Sequence, residues 1–126
     1  MGNFFIEGTA TTPAVMFNPE TGVLEIKGRS IPENSLDFYR PIVEWLKAYS
    51  LSPQKNTQVN IQFEYFNTSS SKCLYDIFHK LQLIADSGNS VMINWFYEQD
   101  DEDMMEAGED FEDILKIPFT FIEIEE

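Results

Sequence analysis

The feature that most constrains the fold is a strand pattern that runs without a break into a helix pattern. Apolar residues alternate with polar ones from Val59 to Tyr65, which predicts a strand over about 59–66. Helically spaced apolar residues follow and predict a helix over about 69–86, with a core face of Leu74, Ile77, Phe78, Leu81, Ile84 and Ala85. Because helix-linked strands usually lie parallel in one sheet, this junction predicts an α/β fold.

The rest of the chain supplies further strands and two further helices. The other strands are predicted at 4–6, 14–17, 23–27, 91–97 and 117–124. A helix follows a loop over 28–35. Because proline is tolerated in the first turn, Pro41 predicts either that the regular helix starts near Tyr39 or that a short turn precedes it. An acidic segment over 98–113 with a partial apolar face predicts the third helix. The chain fits a single α/β domain over 1–126, with a mixed β-sheet in which an N-terminal β meander precedes alternating helices and strands.

The charge balance narrows the class of partner. Eight basic residues oppose 22 acidic ones, so the formal net charge is -14 at pH 7. Such an acidic surface repels phosphate backbones and anionic lipid, which argues against nucleic acid and direct membrane binding and favours a basic protein partner. No segment approaches the roughly 18 apolar residues of a membrane span. The N-terminus lacks a signal-peptide pattern and the single cysteine cannot form an internal disulfide, so we expect a cytoplasmic protein.

Patterns typical of catalysis or metal binding are weak in this sequence. Cys73 and His79 lie six residues apart on one predicted helix, so their side chains point to largely opposed faces and cannot hydrogen-bond there. The segment 98–113 holds ten carboxylates but lacks the ligand spacing and the glycine of an EF-hand. A solvated helix face, or a docking surface for a basic partner, explains it better. The sequence therefore predicts no metal, no cofactor and no enzyme.

Five consecutive small polar residues separate the central strand from its helix: Asn67, Thr68, Ser69, Ser70 and Ser71. Helix capping is their plain interpretation, but one cap needs only one such residue. Loops at the carboxyl ends of parallel strands share one edge of the sheet, where ligands and modifications tend to lie. A phosphate there, with about -1.5 to -2 charge, would be stabilised by the helix dipole and by unbonded backbone N–H groups. The cluster is therefore a candidate phosphorylation switch that leaves the fold intact.

The loops beside this cluster supply charges of both signs. Arg29, Glu33 and Asn34 lie in the loop before the first helix, and Lys72 directly follows the hydroxyl residues. The acidic loop over 98–103 is expected at the same edge of the sheet. Our hypothesis is that Arg29 or Lys72 pairs with a phosphate while the acidic loop repels it. The alternative, that both bases are ordinary solvated charges, stays open.

The same junction carries a resemblance to a known family. The segment Glu64–Leu74 resembles the phosphorylation segment of the SiaC family of bacterial regulatory phosphoproteins. Segments at 12–17, 28–34 and 38–45 match the same family, and the chain length and the order of elements agree. The resemblance thus spans nearly the whole chain.

The resemblance implies more than the residues alone indicate. It implies a fold similar to the STAS domains of anti-sigma-factor antagonists, with Thr68 phosphorylated by a SiaB-type protein kinase and dephosphorylated by a PP2C-type phosphatase of the SiaA type. It also implies that the unphosphorylated form binds and activates a SiaD-type diguanylate cyclase, which raises cyclic di-GMP and promotes aggregation and biofilm formation. The alternative is a small acidic adaptor domain that binds a basic protein partner without control at Thr68. The exposed ends of the loops at this edge, with Tyr39 and Tyr65 nearby, are the expected partner face, although most such aromatic residues are expected to lie in the core. The surroundings of the phosphorylation site, and possible partner contacts, are Asn67, Ser69, Ser70, Ser71, Lys72, Arg29, Glu33 and Asn34.

Overall fold

The computed structural model describes residues 1–125, which form one six-stranded mixed sheet and three helices. The strands are β1 (Phe4–Ile6), β2 (Ala14–Asn18), β3 (Val23–Ser30), β4 (Asn56–Phe66), β5 (Ser90–Glu98) and β6 (Phe119–Ile124). The helices are α1 (Ser35–Tyr49), α2 (Thr68–Asp86) and α3 (Glu102–Ile114). The strands lie in chain order across the sheet, antiparallel from β1 to β3 and parallel from β3 to β6. The predicted α/β class, with a meander before alternating helices and strands, is confirmed.

The core lies on one face of the sheet because apolar residues occupy alternate positions in the central strands. In β4, Val59, Ile61 and Phe63 are buried, whereas Asn60 and Gln62 between them face the other side. Each buried side chain of this kind contributes about 1.5–3 kcal/mol. Side chains from all three helices join the same hydrophobic cluster. Because the strand order follows the chain, right-handed crossovers place every helix on that one face.

Strand β3 is longer than the sequence pattern indicated. The loop was expected to begin at Gly28, but the strand continues to Ser30. A register shift after Gly28 lets Arg29 pair with Tyr65, and Ser30 pair with Phe66. The strand therefore reaches the edge of the sheet where β4 meets α2.

Helix α1 begins at Ser35, so the prediction of a start near Tyr39 was wrong. Asn34 caps the helix, since its Oδ1 accepts a hydrogen bond from the backbone N–H of Asp37 at 3.1 Å. Pro41 is exposed and stands inside the helix, where a proline costs about 3 kcal/mol. Four large side chains on the core face of α1 are buried, and their burial outweighs this cost at about 1.5–3 kcal/mol each.

Helix α3 is held on the sheet by Trp95. The indole N–H of this residue donates a hydrogen bond to the carbonyl of Met104 at 2.9 Å, and its ring lies 5.7 Å from the ring of Phe111. Gly108 faces the same indole, and a Cβ atom at this position would lie 2.7 Å from it. The helix can therefore approach the sheet closely. Within residues 1–125, no helix has both the length and the apolar character needed to cross a membrane.

Candidate functional site

The carboxyl ends of β3, β4 and β5 lie at one edge of the sheet because these strands are parallel. The backbone N–H of Asn67 donates to the carbonyl of Ser30 at 3.0 Å, which joins the end of β4 to the end of β3. A cleft of about 230 Å³ lies between the end of β4 and the start of α3, lined by Glu64, Tyr65, Phe66, Asp101, Asp103, Met104 and Ala107. The three loops expected at this edge are thus neighbours in the structure.

Asn67 follows β4 directly and caps α2, which begins at Thr68. The Asn67 Oδ1 accepts hydrogen bonds from the backbone N–H of Ser70 at 2.8 Å and from the hydroxyl of Ser69 at 3.1 Å. A cap of this kind is worth about 1 kcal/mol relative to alanine. One residue of the five therefore does the capping, and the hydroxyls of the other four are distinguished by their own surroundings.

Ser70 is fully buried at the end of a chain of hydroxyl groups. Its hydroxyl donates to the carbonyl of Ser30 at 3.0 Å and accepts from the hydroxyl of Ser30 at 2.8 Å. Because a serine hydroxyl has one proton, the phenol of Tyr39 must donate to the Ser30 Oγ, 2.5 Å away. Ser70 was expected among the surroundings of the phosphorylation site and as a possible partner contact. Its side chain lies beneath the surface, out of reach of a partner docked there.

The phenol of Tyr39 is protonated throughout the physiological pH range. Burial raises its pKa from 10.0 to about 12, while the hydrogen bond with Ser30 acts in the opposite direction. The order of donors is therefore fixed, from Tyr39 through the Ser30 hydroxyl to Ser70 and then to the Ser30 carbonyl. Within residues 1–125, no buried side-chain nitrogen or oxygen lacks a hydrogen-bond partner.

Ser69 is at the surface, but its hydroxyl is bonded on two sides. It donates to the Asn67 Oδ1 at 3.1 Å and lies 2.7 Å from the Ser35 Oγ. Since its proton is given to Asn67, Ser69 must accept the proton of Ser35. This bond joins the first turn of α2 to the first turn of α1.

Thr68 differs from its neighbours in being both exposed and unbonded. It is the first residue of α2, and within residues 1–125 its hydroxyl has no hydrogen-bond partner. Within residues 1–125, the backbone N–H groups of Thr68 and Ser69 also have no hydrogen-bond acceptor. The amino end of α2 therefore presents two unbonded donors together with the positive end of the helix dipole. The side chain of Ser71 is half-buried. Thr68 is therefore the hydroxyl best placed to accept a phosphate.

The two basic residues considered for the phosphate are unequally placed. Lys72 follows Thr68 by four residues in α2 and so shares its helical face. Arg29 precedes Ser30 in β3, and because Ser30 faces the helices, strand alternation turns Arg29 to the opposite face of the sheet. Neither base forms an ion pair within residues 1–125. The geometry therefore favours Lys72 over Arg29 as the base that would pair with a phosphate on Thr68.

An apolar groove between α1 and α2 begins beside Ser69. It consists of two adjoining cavities of about 320 and 200 Å³ that share Leu36 and Cys73. Leu36 is 68% exposed on one wall, and Cys73 is buried in the floor. The other residues of the cavity near Thr68 are Glu33, Asn34, Ser35, Ser69 and Lys72. This cavity is therefore lined by four of the expected partner contacts, which are Glu33, Asn34, Ser69 and Lys72.

Other candidate residues fall outside this surface. Tyr39 was expected near the partner face, but it is 1% exposed and belongs to the core, so that expectation was wrong. Tyr65 is 52% exposed, as expected for that face. Burial raises the pKa of the Cys73 thiol, and Asp76 raises it further, which makes this thiol a poor nucleophile. Among residues 1–125, no group of three or more acidic, histidine or cysteine side chains could hold a metal ion.

Sequence reasoning missed Ser30 and Ser35, which organise the hydroxyl cluster from outside it. Their partners Ser70 and Ser69 lie 40 and 34 residues away along the chain. A single serine has no periodicity that would single it out. The one available signal was the parallel pairing of β3 with β4, which sets Ser30 opposite Phe66 and thus beside the helix cap.

The domain is thus a mixed sheet with its helices on one face and an exposed threonine where a strand meets a helix. The sequence model of the SiaC family regulatory phosphoproteins matches residues 6–124. The chain therefore belongs to the SiaC family.

Individual relatives agree with this membership over nearly the full length. An uncharacterized protein of Pseudomonas aeruginosa strain UCBPP-PA14 is 30% identical over 120 residues, which is 95% of each chain. The crystal structure of apo-SiaC from P. aeruginosa has a TM-score of 0.88 at 30% identity, covering 97% of this chain and 99% of that one. A chain in the crystal structure of the diguanylate cyclase SiaD in complex with its activator SiaC, from the same species, has a TM-score of 0.90 at 29% identity. That match covers 96% of this chain and 99% of the other.

Proposed function

We propose that this protein is a non-catalytic partner switch that is reversibly phosphorylated on Thr68. A SiaB-type kinase would add the phosphate and a PP2C-type phosphatase would remove it. The unphosphorylated form would bind and activate a diguanylate cyclase, promoting cyclic di-GMP synthesis and biofilm formation in the cytoplasm. The observation that carries the proposal is that Thr68 alone in the cluster over 67–71 is exposed and has an unbonded hydroxyl.

The position of Thr68 explains how a phosphate could act without unfolding the domain. It lies at the amino end of a 19-residue helix, where the dipole and two backbone N–H donors stabilise added negative charge. Lys72, one turn further on, adds a positive charge on the same face. The phosphate would therefore change the charge of the surface while α2 stays in place.

The groove between α1 and α2 is the surface we assign to the cyclase. It begins at Ser69, so a phosphate on Thr68 would stand at its entrance. Leu36 offers an exposed apolar side chain within it, and removing such a side chain from water on binding stabilises a complex. In support, the SiaC of the P. aeruginosa complex is the activator of the cyclase SiaD. A dianionic group at the entrance would weaken the docking of an apolar partner segment by its cost of desolvation.

The alternative function is an acidic adaptor that binds a basic partner without control at Thr68. The observation that favours it is the outer face of α3, which carries Glu102, Asp103, Glu106, Glu109, Asp110 and Asp113 with no basic residue. Under this alternative, Asn67 and the hydroxyls serve only to cap α2.

The test is a pull-down of a SiaD-type diguanylate cyclase with protein that was first treated with a SiaB-type kinase and ATP. We expect one phosphate by intact mass, mapped to Thr68, and loss of cyclase binding in the phosphorylated sample. The Thr68→Ala variant should take no phosphate and should still bind the cyclase. Thr120→Ala, at an exposed threonine of β6, is the matched control and should behave as wild type. Binding that is equal with and without phosphate would support the adaptor function instead.

A further inference from the structure

The hydroxyl cluster over 67–71 contains four potential phosphate acceptors, and the fold treats them unequally. Ser70 is inaccessible because it is fully buried, and Ser71 is half-buried. Ser69, however, is exposed and adjacent to Thr68, so exposure does not separate these two. What separates them is the hydrogen bonding of the Ser69 hydroxyl.

We infer that Ser35 determines which hydroxyl is phosphorylated, by holding the Ser69 hydroxyl in a bonded state and leaving Thr68 as the acceptor. This inference deepens the proposed function and rests on it. Ser35 is 6% exposed in the first turn of α1 and lies outside the cluster, so it would act as a specificity-determining residue that is not itself modified.

The chemistry of phosphoryl transfer shows why the bonded state matters. An acceptor oxygen uses a lone pair to form a bond to the γ-phosphorus of ATP, the bond from that phosphorus to the bridging oxygen breaks, and ADP leaves with the electron pair. The proton of the acceptor hydroxyl passes to a base on the kinase. The hydroxyl must therefore turn its proton toward the kinase and its lone pair toward the phosphorus.

The two hydrogen bonds of the Ser69 hydroxyl occupy its proton and one of its two lone pairs, and together they fix the rotation of the hydroxyl. Its proton is held by the Asn67 Oδ1 at 3.1 Å, and a lone pair accepts the Ser35 proton at 2.7 Å. The Thr68 hydroxyl has no such bond within residues 1–125 and can rotate freely into position. A net hydrogen-bond contribution near 1 kcal/mol corresponds to about a fivefold preference, before the kinase makes any selection of its own.

The test removes Ser35 in a background where Thr68 is absent. Thr68→Ala should take almost no phosphate from the SiaB-type kinase and ATP. Adding Ser35→Ala should raise phosphorylation of Ser69 at least about fivefold, measured by phosphopeptide mapping. The matched control adds Ser50→Ala, which removes a serine hydroxyl bonded to the Lys47 carbonyl at the other end of α1. This control should leave the phosphorylation of Ser69 at the level of Thr68→Ala.

A second measurement needs no kinase. The exchange rate of the Ser69 hydroxyl proton, read from the deuterium isotope shift of its Cβ resonance, should be at least about fivefold slower than that of Thr68 in wild type. In Ser35→Ala, Ser69 still donates to Asn67 but has lost its second bond, so its exchange rate should rise above the wild-type value and stay below that of Thr68. Circular dichroism should show that Ser35→Ala is folded, since alanine is a good helix former at this position.

The outcomes separate this inference from the proposed function. If wild type takes phosphate on Thr68 but Ser69 stays unmodified in the Ser35→Ala background, Ser35 does not set the acceptor. Equal hydroxyl exchange at Ser69 and Thr68 in wild type would overturn the inference as well. If wild type takes no phosphate at all, the proposed function fails, and the exchange rates alone decide whether Ser35 restrains Ser69.

Discussion

Replacing Tyr39 with phenylalanine tests the buried chain of hydroxyls that lies beneath the candidate site. The substitution removes only the phenol oxygen, so the ring stays packed in the core. The chain begins at this phenol, and its loss leaves the Ser30 Oγ without a donor while the Ser30 proton is still accepted by Ser70. Near pH 7 we therefore expect Tyr39→Phe to lose about 1 kcal/mol of the free energy of unfolding, the value of one net hydrogen bond.

The same substitution should become favourable at high pH. The pKa of Tyr39 is about 12 in the folded protein against 10.0 for the free phenol, so the folded state keeps its proton where the unfolded state loses it. Ionisation of the phenol therefore favours the unfolded state. The free energy of unfolding keeps its full value below pH 10 and falls as the pH rises toward 12. With a difference of this size, wild type should lose roughly 2 kcal/mol by pH 12 through Tyr39 alone. The Tyr39→Phe variant has no phenol at this position, so it does not undergo this loss of stability.

The assay is urea denaturation of wild type and Tyr39→Phe from pH 7 to pH 12, followed by circular dichroism. The two stability curves should cross at roughly pH 11, with wild type more stable below and the variant more stable above. Tyr65→Phe, at a tyrosine that is 52% exposed, is the control for removing a phenol at the surface. Curves for wild type and Tyr39→Phe that stay parallel across this pH range would refute the burial of a protonated phenol in this chain.

Three further predictions concern the switch and the packing of α3. Thr68→Asp should reduce cyclase activation less than phosphorylated Thr68 does in a cyclic di-GMP synthesis assay, because a carboxylate has less charge and fewer acceptor oxygens than a phosphate; equal loss would contradict this. Lys72→Ala should change the effect of phosphorylation on cyclase binding more than Arg29→Ala does. A larger effect of Arg29→Ala would show that a shared helical face with Thr68 does not decide which base pairs with the phosphate. Gly108→Ala should lower the stability by about 1–3 kcal/mol in thermal denaturation, because its Cβ would lie 2.7 Å from an indole, whereas Gly2→Ala, which meets nothing within 4 Å, should not.

The fold was predictable from sequence because its elements carry long, regular patterns. The helical spacing over 69–86 predicted α2 to within one residue, and the alternation over 59–66 predicted the end of β4, whose start lies three residues earlier at Asn56. The order of elements then predicted the parallel part of the sheet. The start of α1 was not predictable in the same way. Pro41 argues locally against a helix, and only the burial of the core face and the cap from Asn34 reverse that preference.

The location of the candidate site was predictable, but the ranking of its hydroxyls was not. Five small polar residues in a row are visible in the sequence, as is their place at the end of a strand. Whether Ser69 or Ser70 is bonded depends on Ser35 and Ser30, which reach the cluster only through tertiary structure. The same holds for Tyr39, which was expected near the partner face and whose phenol begins the buried chain.

The position of β4 in the sheet has a consequence for how a mark on Thr68 would be read. This strand is paired with β5 as far as Gln62, and with β3 as far as Phe66, the residue before Asn67. The base of the site is therefore held by β3 and by the hydrogen bond from the Asn67 N–H to the Ser30 carbonyl, so its amides should exchange with solvent more slowly than those of an unpaired loop. A partner would therefore meet the phosphate as a charge at a fixed point on a rigid body. Recognition would then need no ordering of the loop that carries it, and would avoid the entropic cost which flexible phosphorylated segments bear on binding.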